Sequence, residues 1–135
     1  KNDKAVLEYD ILQAPHHCSW HSLSYDSQSE DDDPQVCADA KTALSQAKAG
    51  ACILSQSKPI KNNDADPPSK AAKDEYLKIV PKERFYCTNE HPSEEKPSPI
   101  EFNLTSGGPQ KKGVMEKSKL SVAALASTKE AYSHG

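Results

Sequence analysis

The sequence predicts an α/β fold: a βαβ unit within a mixed sheet, with flanking helices. Three observations carry this reading. Residues 5–14 contain Val6, Leu7, Tyr9, Ile11 and Leu12 and end at Pro15, as a strand covered on both faces would. Val36, Ala40, Ala43, Leu44 and Ala47 recur at helical spacing. Residues 51–55 (ACILS) form a second short apolar run. Strand, loop, helix and strand in that order imply parallel strands and a right-handed crossover.

The remaining elements follow in order. Residues 16–33 are polar and end in the acidic run Glu30-Asp31-Asp32-Asp33. A connection of that length is uncommon inside a compact domain and is usually functional or mobile. Asp33 suits the cap of the first helix, Pro34 its first position, and Gly50 a left-handed residue closing it. Asp66 and Pro67 resemble a second helix start, with Ala72, Tyr76, Ile79 and Val80 as its apolar stripe up to Pro81. Residues 84–88 (RFYCT) read as a third strand. Residues 100–105 (IEFNLT) alternate as an edge strand does. Gly107-Gly108-Pro109 ends that pattern. Residues 1–109 are therefore expected to form the domain, and residues 110–135 a flexible tail with one marginal helix around residues 120–126.

Composition excludes several classes. The chain has 135 residues and a net charge of -3, so no global basic field holds nucleic acid. No run approaches the roughly 18 apolar residues of a membrane span. The four cysteines (Cys18, Cys37, Cys52 and Cys87) include no CxxC pair, which argues against a zinc ribbon or a thioredoxin-type site. They allow two disulfides, but Cys52 and Cys87 lie in apolar runs, where free thiols pack as small hydrophobes. Free thiols point to a reducing compartment, and the expected location is cytoplasmic.

Chemistry concentrates where the first strand ends. His16-His17-Cys18-Ser19-Trp20-His21 holds three of the five histidines and the sole tryptophan. Neutral imidazole binds zinc well, and a strand end fixes its direction. One histidine can serve as a ligand and another as a proton donor or substrate contact. The alternative is a polar loop start with incidental histidines. Adjacent residues of an extended chain point to opposite sides, so His16 and His17 do not easily share one metal. The acidic run lacks the alternating spacing of a calcium loop and reads as a solvated run with a helix cap. Turn chemistry accounts for Asn62, Asn63, Asp64 and Asp66. No GxGxxG, P-loop or GxSxG motif is present.

Residues 9–19 (YDILQAPHHCS) resemble the strand that ends in Pro or Gly, two histidines, Gly and Ser in metallo-β-lactamase-fold hydrolases. The similarity is to the hydrolase domain of competence-related DNA-uptake proteins. The likeness continues through Ala51-Cys52-Ile53-Leu54-Ser55, Asn62-Asn63, Phe85-Tyr86-Cys87-Thr88 and the strand from Ile100 to Leu104, covering about residues 4–105. Cys18 stands where that family has Gly, and Asp66-Pro67 where its helix opens with His-Pro. The resemblance implies the C-terminal portion of that fold. It implies a phosphodiester or related ester as substrate, with nucleic acid as a partner only in that role. It implies His17 as one ligand of a two-zinc site and His16 as a catalytic group beside the substrate. Ser19 and His21, from the same cluster, are the expected substrate contacts. The family motif HxHxDH and its bridging Asp are absent from this chain. Both are expected on a segment preceding Lys1, the N-terminal half of the same domain and the expected partner. The chain alone is therefore expected to hold no dinuclear zinc and to be inactive. The alternative function is a non-catalytic metal- or partner-binding module.

Overall fold

The computed structural model describes residues 3–63 and 65–113. It is a mixed α/β structure with two sheets: a parallel three-stranded one, order β1-β2-β3, and a small antiparallel one, β4-β5. The elements are β1 (Tyr9–Gln13), a one-turn element α1 (Pro15–Cys18), α2 (Ala38–Leu44), β2 (Ala47–Ser55), α3 (Lys70–Tyr76), β3 (Phe85–Cys87), β4 (Phe102–Thr105) and β5 (Gly108–Lys111). The expected parallel pair is present, with Leu12 beside Ile53 and Gln13 beside Leu54. The single mixed sheet is not, because β4 pairs with β5 instead of joining β3.

Several boundaries differ from the sequence expectation, each for a local reason. The first strand starts at Tyr9. Residues Lys4–Leu7 form a 3-10 turn whose first free amide, Ala5 N, donates to Asp3 Oδ1. Tyr9 is already opposite Ala47, the first residue of β2, so residues before it have no strand to pair with. Helix α2 starts at Ala38 because residues 34–37 are engaged elsewhere. Gln35 N donates to Asp26 Oδ2, Ser24 Oγ donates to Gln35 O, and Cys37 N donates to Leu23 O. These bonds tether the long connection, and Trp20, Leu23 and Ser24 are buried within it.

Gly50 has the positive φ expected of it, +79°, but lies inside β2 rather than at a helix end. Between Tyr9 and Ile11 the partner strand advances from Ala47 to Cys52, so β2 bulges around Gly50. A Cβ at Gly50 would overlap the carbonyl oxygen of Gly107. That close approach docks the β4-β5 hairpin on β2. Arg84 closes the junction, donating from Nη1 to Gly50 O at 2.9 Å and to Pro109 O at 2.6 Å. The Gly107-Gly108-Pro109 segment is thus the hairpin corner and the start of β5, not the end of structure. Residues 114–135 of the expected tail, including the marginal helix, lie outside the described residues.

Ser69, rather than Asp66, caps α3. Its Oγ accepts from Ala72 N, while the Asp66 carboxylate accepts from Trp20 N. The core lies between β2, β3 and α3. Ile53, Ala72, Tyr76, Val80 and Phe85 are buried there, and the Tyr76 and Phe85 rings stack at 6.4 Å. The Tyr76 hydroxyl is fully buried with no hydrogen-bond partner among the described residues. All four cysteines are free; Cys18, Cys52 and Cys87 are buried. No described helix is long and apolar enough to cross a membrane.

Candidate functional site

All three parallel strands end on one edge, where open α/β sheets usually bind ligands. From β1 the chain enters Pro15-His16-His17-Cys18, from β2 Gln56-Ser57-Lys58, and from β3 Thr88-Asn89. A cleft of about 480 Å³ opens there, lined by His17, those two later segments, and Pro67 and Pro68.

The turn after β1 departs from ordinary backbone. His16, His17 and Cys18 have φ of 48°, 59° and 66°, three successive left-handed residues without a glycine. Each such residue costs on the order of 1 kcal/mol, and such strain clusters at functional sites. Neighbouring contacts hold the turn. Ser69 N donates to Cys18 O at 2.9 Å, and Ser22 Oγ donates to Pro15 O at 3.2 Å. Cys18 is fully buried. Burial pushes its thiol up to about 12.

His17 Nδ1 lies 2.5 Å from Gln56 O. A carbonyl only accepts, so Nδ1 carries the proton, and the neutral ring keeps its lone pair on Nε2. A backbone carbonyl fixing the far nitrogen is the usual support of a metal-ligating or basic histidine. His16 is exposed and does not line the cleft. Ser19 is buried and its Oγ accepts from His21 N, capping a 3-10 turn. His21 faces Asp66, with Nε2 3.9 Å from Oδ2. Of the four residues singled out in the sequence, only His17 reaches the cleft wall.

Buried polar groups hold the strand ends beneath the cleft. Ser57 Oγ donates to Lys58 O, so the 2.7 Å contact from Ser55 Oγ is a donation to Ser57. Cys87 Sγ lies 3.4 Å from Ser57 O and 3.3 Å from Lys58 O. The backbone carrying Lys58 is therefore tied to β3.

Sequence reasoning missed Gln56, Lys58, Thr88 and Asn89. Each follows the end of a parallel strand, and that position alone was a usable signal. No group of three or more His, Cys, Asp or Glu side chains converges among the described residues. These residues by themselves do not fit a zinc site; they offer one oriented imidazole. Comparison with known proteins adds no assignment: no family model, curated protein or solved structure matches the chain.

Proposed function

We propose that this chain is one part of a metal-dependent hydrolase of metallo-β-lactamase-like fold acting on a phosphodiester or related ester. It contributes His17 as a ligand and the cleft as the pocket wall. The observation that carries the reading is the Nδ1–H of His17 on the Gln56 carbonyl, which leaves the neutral ring's lone pair on Nε2 at the carboxyl edge of a parallel sheet. The remaining ligands must come from another segment, because one imidazole does not hold a catalytic metal. The N-terminal half of the same domain is the proposed source.

The test is hydrolysis of bis(p-nitrophenyl) phosphate with zinc or manganese by the protein from its natural source. His17→Ala should lower kcat at least 100-fold, and the 135-residue chain alone should be inactive. Undiminished activity in H17A would overturn the reading. The absence of three converging ligands among the described residues favours a second reading, a non-catalytic binding module. Tight one-to-one zinc binding by the chain alone, abolished by H17A, would support that second reading.

A further inference from the structure

We propose that the cleft contains an anion subsite in which Lys58, with Thr88 and Asn89, takes a phosphate group. This deepens the hydrolase reading and rests on it for the identity of the substrate, but the anion binding is testable without it.

The charges around the cleft are unevenly distributed. Among the described residues no carboxylate lines it; the charged and polar side chains there are those of Lys58, His17, Gln56, Ser57, Thr88 and Asn89. Among the described residues, two carboxylates near the cleft segments in sequence, Glu90 and Asp66, are engaged elsewhere. Glu90 accepts from Ile60 N at 2.6 Å and pairs with Lys73 at 3.8 Å. Asp66 accepts from Trp20 N and faces His21. Nearby Lys61 is paired with Glu94 at 3.1 Å. Among the described residues, Lys58 is the only lysine on the cleft wall, and it has no carboxylate within ion-pair distance. An ammonium without a counterion among the described residues, lining the same cleft as a hydroxyl and an amide, suits a small oxyanion.

The site is also built rather than incidental. The Lys58 carbonyl accepts from Ser57 Oγ at 2.9 Å and lies 3.3 Å from Cys87 Sγ. Ser57 and Cys87 are buried. These contacts fix the Lys58 backbone against the strand that leads into Thr88 and Asn89. Prolines 67 and 68 form a wall without backbone donors, so the donors belong to the opposite side.

The 135-residue chain, ¹⁵N-labelled, is titrated with inorganic phosphate at constant ionic strength and followed by NMR. Saturable amide shifts should centre on Ser57, Lys58, Thr88 and Asn89. Lys58→Ala should raise Kd about tenfold, the loss of one charge-assisted contact. Lys58→Arg should bind nearly as well as the parent, and Lys61→Ala should match it. Absent or scattered shifts, or equal affinity in K58A and the parent, would overturn the subsite. Failure of the hydrolase reading registers separately, as undiminished hydrolysis in H17A, and leaves this titration unchanged.

Discussion

The imidazole of His17 donates from Nδ1 to the carbonyl of Gln56, two residues that are 39 apart in the chain. This bond joins the ends of two parallel strands and selects the ring's tautomer. The neutral ring should therefore be the Nδ1–H form. Long-range ¹H–¹⁵N correlations should show a pyridine-like Nε2 and a pyrrole-like Nδ1. The reverse assignment would remove the basis for a ligand or base at Nε2.

The cysteines should differ sharply in reactivity. Cys18, Cys52 and Cys87 are buried, while Cys37 is partly exposed. Thiolates are the reactive form, and burial disfavours them. A disulfide reagent such as DTNB at pH 8 should modify one thiol quickly, and Cys37→Ser should abolish that phase. Fast modification of two or more thiols in the folded chain would contradict the described packing.

Cys18 also predicts a pH dependence of stability. Its folded value, about 12, exceeds the ordinary thiol value of 9.0. Below pH 9 both states hold the proton and stability does not depend on this group. Between pH 9 and 12 the unfolded chain loses the proton while the folded chain keeps it. Stability should then fall with pH, by up to about 1.4 kcal/mol per unit from this group. Urea unfolding of the parent and Cys18→Ala at pH 8 and pH 10 measures the difference. An equal pH slope in both would refute it.

Ser69 should be the critical helix cap. Its Oγ accepts from Ala72 N and donates to Gln28 Oε1. Ser69→Ala should cost about 1 kcal/mol from the cap, with a further cost for the lost Gln28 contact. Asp66→Ala should leave α3 intact, because that carboxylate serves Trp20 instead. Chemical denaturation and helical circular dichroism distinguish the two variants.

Tyr76→Phe should stabilise the fold. The hydroxyl is buried with no partner among the described residues. Leaving such a group unpaired costs about 1–3 kcal/mol, whereas the ring that packs on Phe85 is retained. A gain of about 1 kcal/mol in urea unfolding is expected. A loss of similar size would mean that the hydroxyl has a partner.

Gly50→Ala should have the opposite sign. The added methyl meets Gly107 O, a backbone atom that cannot rotate away, at a residue with φ of +79°. A loss of about 2 kcal/mol or more is expected, with the β4-β5 hairpin loosened first. Hydrogen exchange at Asn103 and Gln110 reports on that hairpin. Unchanged stability and exchange would contradict the docking.

The sequence by itself determined the αβ order, the parallel pairing of β1 with β2, the buried free thiols and the edge on which His17 lies. These follow from short-range information: apolar runs, a proline stop, helical spacing and the crossover rule. Tertiary structure decided what local pattern does not encode. Asp66 had the chemistry of a cap, but the Trp20 amide captured its carboxylate, and the cap passed to Ser69. Gly50 had the conformation of a helix terminator, but the hairpin packed against it and made it a strand bulge. Residues 16–18 adopted a left-handed turn that no glycine announces, because contacts from Ser22 and Ser69 hold it. That turn brought His17 to the cleft wall and left His16 and His21 outside it. Lys58, Thr88 and Asn89 joined His17 there because parallel strands distant in sequence end together in space.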